Sequence, residues 1–435
     1  MRASHIAWNL AGLALPLGIA AITVPKLIEV LGNERFGLLA LAWGLIGYAG
    51  AMDLGIGRAL TQMVARMKGE ANLADIPHAL ATAGRITLIS GLVGALVIAL
   101  AALGGGSTLV AVHDTSATEI KVSMLLLAIA LPAQAMSATY RGLNEAFLNF
   151  RGISVLRAAL GAVNFAGPYV VSFFTLQLPW LVATLVLSRL LALALFRYLA
   201  RSCLERDAAT RIAPRYSPAI ARALFSFGGW VTVSSVVSPI LVQADRFVIA
   251  AMISAAAVSV YVIPYEVVVQ SLILVGAVSS VMFPGLSRLL HEKPGEWQAY
   301  FRRWLLRVAG LMAVVCISMA LLLPLVLPLW IEGNLDPQSI RIGQILCLGV
   351  FANAVGTMFY ALLHAQKRSD ITAKIHMSEL PLFFIILFYF SERYGLVGVA
   401  SAWVIRMISD AIVLGIAVNA SSSVFISFRS DKISS

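Results

Sequence analysis

Charged residues are scarce in this sequence. Asp, Glu, Lys and Arg make up 12% of its 435 residues, about half the share that soluble domains carry. Apolar residues make up 60%. This composition excludes an ordinary soluble enzyme and an intrinsically disordered protein. The net charge of +11 therefore indicates basic loops between membrane spans and no nucleic-acid partner.

Residues that bind metals or form disulfides are also sparse. The cysteines are Cys203, Cys316 and Cys347, which lie far apart, and the six histidines are scattered. HExxH, CxxC and P-loop spacings do not occur. We therefore expect no metal, no cofactor and no enzymatic activity.

Long apolar runs fill the chain instead. A bilayer core requires about 20 apolar residues per helix, so we predict an all-α polytopic membrane protein with twelve transmembrane helices. We expect the first to be retained, because its apolar run is longer than that of a signal peptide. The predicted spans are 6–28, 36–57, 81–103, 120–143, 153–175, 178–199, 228–253, 256–283, 305–330, 340–363, 377–391 and 395–418.

The longest polar break, 201–227, divides these spans six and six. Similar span lengths and loops on either side predict a parallel repeat, and in transporters the substrate site lies between such halves. Most of the 32 Lys and Arg residues fall on one side, which predicts that both termini are cytoplasmic. The predicted parts are an N-terminal lobe (1–200), a cytoplasmic basic linker (201–227), a C-terminal lobe (228–418) and a cytoplasmic tail (419–435).

Three arginines fall near mid-depth in predicted spans: Arg189, Arg246 and Arg406. An ionisable group there costs at least about 2.5–3.5 kcal/mol unless it faces a partner or a cavity. The three can be internal ion pairs that fix helix packing. Alternatively, they line a hydrated cationic cavity for a phosphate-bearing headgroup, because guanidinium groups bind phosphate bidentately.

Carboxylates accompany two of these arginines. Arg406 and Asp410 are spaced i, i+4 and can pair along one helix, whereas the adjacent Asp245 and Arg246 should have different partners. A carboxylate inside a span is also a candidate for binding a proton or sodium ion that drives transport. The candidates for ion coupling are Asp245, Glu266 and Asp410.

Other charges lie close to the ends of predicted spans. They are candidates for a mouth or gate, or are simply solvated helix ends. The residues are Asp53, Arg58 and Arg141 at cytoplasmic ends, and Lys26 and Arg35 at outer ends. Segment 284–307 places Trp and Tyr beside Arg, which predicts an amphipathic helix at the cytoplasmic surface.

Several motifs together resemble a known family. They are Asn9, Pro25 and LGNERFGLL (31–39), then DLGIGRAL (53–60), and finally ADRFVIA (244–250), VSVY (258–261) and FPGLS (283–287). In order and spacing these resemble the polysaccharide or O-antigen flippases of the multidrug/oligosaccharidyl-lipid/polysaccharide (MOP) exporter superfamily. The resemblance covers nearly the whole chain.

This resemblance implies a fold like that of the multidrug exporters called MATE transporters, with two six-helix lobes around a central cavity. It implies transfer of an undecaprenyl-diphosphate-linked glycan across the bacterial inner membrane by alternating access, coupled to H⁺ or Na⁺. Arg189, Arg246 and Arg406 would neutralise the diphosphate. The expected partners are this glycan lipid, membrane lipid and other proteins of polysaccharide assembly.

Two alternatives stay open. One is a multidrug antiporter of the same fold, which a cationic cavity disfavours. The other is a membrane-embedded polysaccharide polymerase or ligase. Such enzymes tend to carry a large outer loop, whereas the longest predicted outer loop here, 104–119, is short and holds only His113 as a catalytic candidate.

Overall fold

Long apolar runs give an all-helical chain. The computed structural model describes residues 3–70, 72–206, 214–292, 295–331, 335–366 and 368–433, and these residues form helices and no strand. The helices are α1 (Ala3–Ala49), α2 (Ile56–Gly69), α3 (Ile76–Leu103), α4 (Ala117–Ala146), α5 (Phe150–Ser172), α6 (Leu178–Arg206), α7 (Pro218–Met252), α8 (Ala255–Val269), α9 (Leu272–Glu292), α10 (Trp297–Trp330), α11 (Gln338–Ala365) and α12 (Ser369–Ile433).

Nine helical stretches in the described part of the chain are long and apolar enough to cross a membrane. Two of them each cover two predicted spans, because α1 and α12 run through a break in helical geometry. Gly32 (φ 71°) and Gly395 (φ 56°) form these breaks in the left-handed region that favours glycine. A multi-pass membrane protein is therefore confirmed, and the count of twelve spans stays a prediction.

The chain separates into two compact units. Unit 1 is 1–243 with 254–259, and unit 2 is 244–253 with 260–435. This division falls inside α7 rather than in the predicted linker, and the predicted lobe and tail boundaries stay predictions. Residues 207–213 of that linker, 434–435 of the tail and the Asn9 side chain lie outside the described residues.

Helix α2 is the short amphipathic helix of unit 1. Ile56, Leu60 and Val64 share one face at i, i+4 spacing and are buried in an apolar cluster. The hydroxyl of Thr61 donates to the Gly142 carbonyl in α4 at 3.0 Å. This contact fixes α2 against α4, beside the polar residues at the start of α2.

One predicted span contains a break, and one prediction of a continuous helix was wrong. The predicted span 256–283 corresponds to the apolar stretch Ala255–Ser279, which is long enough to cross a membrane. It is interrupted between α8 and α9, where the Ser271 hydroxyl donates to the Val268 carbonyl at 2.7 Å and so competes with helical pairing. The predicted helix 284–307 is also divided, because α9 ends at Glu292 and α10 begins at Trp297. Pro294 and Gly295 in the sequence disfavour a continuous helix there. Residues 293 and 294 lie outside the described residues.

Candidate functional site

Helices α7 and α8 place a buried ion pair in unit 2. Nη2 of Arg246 lies 2.5 Å from Oε1 of Glu266, and the guanidinium carbon lies 5.2 Å from the ring centre of Tyr265. The Arg246 side chain is 7% exposed, whereas that of Glu266 is 52% exposed. Arg246 is thus a buried cation whose carboxylate partner reaches an open surface.

Asp245 interacts electrostatically with its neighbour Arg246, so the prediction of different partners holds only for the side-chain hydrogen bonds of the two residues. Its side chain is fully buried. The Tyr261 hydroxyl donates to Oδ2 at 2.7 Å, and the backbone N–H of Arg246 donates to Oδ1 at 2.8 Å. Because a buried carboxylate is costly without donors, these two hydrogen bonds are needed to keep it there.

A second polar cluster lies within α12, where residues before and after Gly395 meet. Ligand atoms of His376, Glu379 and Asp410 lie within 4.8 Å of one another, and His376 Nε2 is 3.4 Å from Asp410 Oδ1. The Arg406 guanidinium interacts electrostatically with Glu379 and Asp410 and stacks at 5.2 Å on Phe383. The predicted attraction between Arg406 and Asp410 is therefore present, with Glu379 as an additional partner.

Glu379 is the notable member of this α12 cluster. It is only 8% exposed, and neither carboxylate oxygen receives a hydrogen bond from any described residue. Two neighbouring carboxylates repel each other when both are ionised, so they favour a shared proton or a bound cation. The adjacent Arg406 already supplies one positive charge, which favours a proton or monovalent cation over a divalent metal.

The two clusters of unit 2 belong to one polar region. Tyr265 contacts Arg246 on one side and packs edge-on against Trp403 at 5.6 Å on the other. Asp245 also interacts electrostatically with Arg406. The structure thus brings together the predicted residues of α7, α8 and α12.

Arg189 of α6 lies in unit 1 and has a different environment. Its Nη2 donates to Oδ1 of Asn164 in α5 at 2.9 Å. Asn164 is held in turn by Trp43, whose ring N–H donates to the Asn164 backbone carbonyl at 3.2 Å. No carboxylate in the described part of the chain forms a salt bridge with Arg189, so its charge inside a spanning helix is uncompensated.

The predicted mouth residues fall into separate groups of unit 1. Asp53 is buried, accepts a hydrogen bond from the Gly55 backbone at 2.9 Å and interacts electrostatically with Arg58 and Arg141. Arg141 also lies 3.7 Å from Glu145. These three predicted residues are therefore neighbours.

The other two predicted mouth residues have their own partners. Arg35 lies 3.6 Å from Glu119. The Lys26 ammonium lies 5.8 Å from the ring centre of Tyr169. The structure does not join either of them to the Asp53 group within the described residues.

Part of the first family motif has a structural role. Glu34 accepts backbone N–H donors from Asp114 at 3.0 Å and from Thr115 at 2.8 Å, which fastens the predicted outer loop. Asn33 accepts a hydrogen bond from the Ser259 hydroxyl at 3.1 Å. Two distant motif segments thus meet within unit 1.

Sequence reasoning missed Glu379, His376 and Tyr261. The predicted eleventh span began at 377, whereas α12 begins at Ser369, so Glu379 looked like a residue at a helix end. An earlier start would have placed it a few turns inside the helix. Tyr261 belongs to the VSVY motif, but its hydrogen bond to Asp245 was not predicted, because an aromatic residue in an apolar run usually only packs in the core.

Comparisons with known proteins agree with this architecture. Residues 4–290 match the family model described as polysaccharide biosynthesis protein. A Shigella flexneri protein named as an O-antigen transporter is 29% identical over 94% of this chain and 95% of its own length. The lipopolysaccharide biosynthesis protein WzxC of Escherichia coli is 22% identical over 93% of this chain and 78% of its own length.

Solved structures show the same fold. An inward-facing multidrug resistance transporter of the MATE family, in the MOP superfamily, matches with a TM-score of 0.74 at 14% identity, covering 96% of this chain and 99% of that one. A MOP superfamily transporter from Pyrococcus furiosus matches with a TM-score of 0.64 at 14% identity, covering 97% and 96%. The fold is therefore that of MOP superfamily transporters. With two thirds of its length matched by the family model, the chain belongs to the polysaccharide biosynthesis protein family.

Proposed function

We propose that this protein is a flippase for undecaprenyl-diphosphate-linked oligosaccharide in the bacterial inner membrane. The family and the two relatives, named as an O-antigen transporter and as a lipopolysaccharide biosynthesis protein, support a lipid-linked saccharide as the substrate. The fold supports alternating access as the mechanism. Both termini would lie in the cytoplasm, as the distribution of basic residues indicates.

The observation that carries the proposal best is the uncompensated charge of Arg189. A cation within a spanning helix is costly unless it meets an anion or water. Asn164 supplies a neutral acceptor to one guanidinium nitrogen, and the buried Nε has no hydrogen-bond partner among the described residues. A diphosphate would provide both the missing charge and further acceptors.

Arg246 and Arg406 are weaker candidates for the same role, because carboxylates already neutralise them. For Arg246 to bind a diphosphate, the phosphate would have to displace Glu266, whose carboxylate is half exposed. Arg406 would likewise have to leave Glu379 and Asp410. Arg189 is therefore the first candidate for binding the diphosphate. Arg246 and Arg406 would be available to bind it only in the part of the transport cycle in which they have left their carboxylates.

We further propose that a proton drives the cycle through Glu379 and Asp410. Coupling requires that the ion and the substrate prefer different conformations. One shared proton would leave the pair with a single negative charge, which Arg406 balances, and its release would add a second negative charge that attracts that arginine more strongly. Asp245 is a weaker candidate because Tyr261 and the backbone already satisfy its carboxylate.

No enzymatic step is needed for this function. The substrate would cross the membrane chemically unchanged, with its polyprenyl chain in lipid and its headgroup inside the protein. Other proteins of polysaccharide assembly would supply and consume the glycan lipid.

Reconstitution in liposomes tests the proposal. An undecaprenyl-diphosphate-linked glycan is placed in one leaflet, and its transfer is followed by enzymatic labelling of the sugar in the other. We expect protein-dependent transfer of the glycan lipid and none of a cationic dye. Export of the dye without transfer of several glycan lipids would overturn the proposal in favour of a drug antiporter.

A further inference from the structure

A cavity of about 520 Å³ lies within unit 1, and its described lining residues include neither Arg189 nor a member of the Asp53 group. Helices α3, α4 and α6 and residues 214–216 form its walls. Three arginines and two tyrosines contribute to the lining: Arg85, Arg197, Arg201, Tyr140 and Tyr216. In the sequence these arginines are three of the basic residues that fall on the predicted cytoplasmic side.

The charge of this arginine pocket is one-sided. None of the described residues that line it is acidic. Nor does a described carboxylate form a salt bridge with Arg85, Arg197 or Arg201. Three guanidinium groups around a concave surface create a positive potential that concentrates anions. Their planar forks suit the oxygens of a phosphate group.

Hydrogen bonds hold one wall of the pocket in place. The backbone N–H of Arg215 donates to His78 Nδ1 at 3.0 Å, and that of Ser217 donates to the hydroxyl of the fully buried Thr82 at 3.0 Å. Arg85 stacks on Tyr216 at 5.6 Å. Residues 214–217 are thus fastened to α3, and the guanidinium of Arg85 is oriented by its neighbour.

The rest of the pocket is apolar and continues towards lipid. Leu80, Leu88 and Met136 line it. One turn after Arg85, on the same face of α3, Ile89 is 57% exposed, and Leu92 follows at 51%. Exposed apolar side chains on a membrane-spanning helix contact acyl chains. A ligand that follows this surface would have a phosphate at one end and a hydrocarbon chain at the other.

We propose that the arginine pocket binds the phosphate headgroup of an anionic membrane phospholipid, with an acyl chain lying along the exposed face of α3. The arginines would hold the phosphate, and Tyr140 or Tyr216 would contact the glycerol region. This site does not depend on the transported glycan, so a failure of one proposal would leave the other intact.

Titration of the detergent-purified protein with phosphatidylglycerol, followed by native mass spectrometry, tests the site. The pocket variant carries Arg85→Gln, Arg197→Gln and Arg201→Gln. Its matched control removes the same charge from three exposed arginines outside the pocket and outside segment 284–307, with the changes Arg66→Gln, Arg341→Gln and Arg393→Gln. We expect the pocket variant to bind phosphatidylglycerol at least about tenfold more weakly, and the control to stay within about twofold of wild type.

Two further measurements distinguish an anionic lipid from free phosphate as the ligand. Phosphatidylcholine should bind poorly to wild type, and inorganic phosphate at millimolar concentration should not displace phosphatidylglycerol. If phosphatidylglycerol binding weakened equally in both triple variants, the effect would come from total charge alone, and the proposed pocket site would be wrong. Displacement by inorganic phosphate would overturn the lipid as its occupant. If the pocket variant fails to fold, the single changes Arg197→Gln and Arg201→Gln at exposed positions replace it. Each is expected to weaken phosphatidylglycerol binding about threefold.

Discussion

Arg246 and Glu266 form an unequal pair, in which a nearly buried guanidinium meets a half-exposed carboxylate at 2.5 Å. The adjacent Asp245 is fully buried and accepts a hydrogen bond from Tyr261. The cation therefore interacts with two carboxylates, of which Asp245 is held fixed by its donors and Glu266 is open to exchange of partners. This asymmetry is what would let Arg246 serve both packing and transport.

Removing Arg246 should destabilise unit 2. The change Arg246→Met leaves Asp245 buried without its neighbouring cation, which typically costs about 3–5 kcal/mol. Adding Asp245→Asn removes the remaining buried charge while keeping an acceptor for Tyr261. We expect thermal unfolding in detergent to show a large loss for the single variant and partial recovery for the double variant. Equal losses in the two variants would contradict a buried charge pair.

Tyr261 should matter through its hydroxyl group. The change Tyr261→Phe keeps the ring stacked on Tyr265 but removes a donor from the buried Asp245, at a cost of about 1–3 kcal/mol. Tyr265→Phe is the matched control, because that ring is also buried and its hydroxyl makes no hydrogen bond among the described residues. A lower melting temperature is expected for Tyr261→Phe only. Similar shifts in both would point to ring packing instead.

Glu379 should govern ion coupling. The change Glu379→Gln imitates the protonated state, so transport in liposomes should lose its response to an imposed pH gradient while the protein remains folded. Glu392→Gln, an exposed position on the same helix, is the control. A variant that responds to the pH gradient like wild type would remove Glu379 from the mechanism. A response to a sodium gradient instead would replace the proton as the coupling ion.

Much of the fold can be predicted from the sequence, because it depends on local properties such as the length of apolar runs. Apolar runs of sufficient length must be helices in a membrane, since their backbone groups have no other partners there. The helical geometry breaks at Gly32, between the predicted spans 6–28 and 36–57, and at Gly395, the first residue of the predicted span 395–418. Ionisable residues within spans also stand out by composition alone.

The partners of those residues could not be predicted, because packing of distant segments decides them. Asp410 meets Glu379 only where the two parts of α12 on either side of Gly395 pack together. Arg189 finds the neutral Asn164 on another helix, so its charge stays uncompensated while that of Arg246 does not. Sequence alone therefore ranked the arginines equally, and the contacts separate them.

The leaflet-transfer rate of Arg189→Gln tests the central claim most directly. The substitution keeps a donor for Asn164 but removes the uncompensated charge, so folding should be preserved. A charge-assisted hydrogen bond is worth about 1.5–3 kcal/mol, and we expect transfer of the diphosphate-linked glycan to fall about tenfold or more. Arg189→Lys, which keeps the charge without the planar fork, should retain part of the activity. A folded Arg189→Gln protein that transfers the glycan at the wild-type rate would contradict the account.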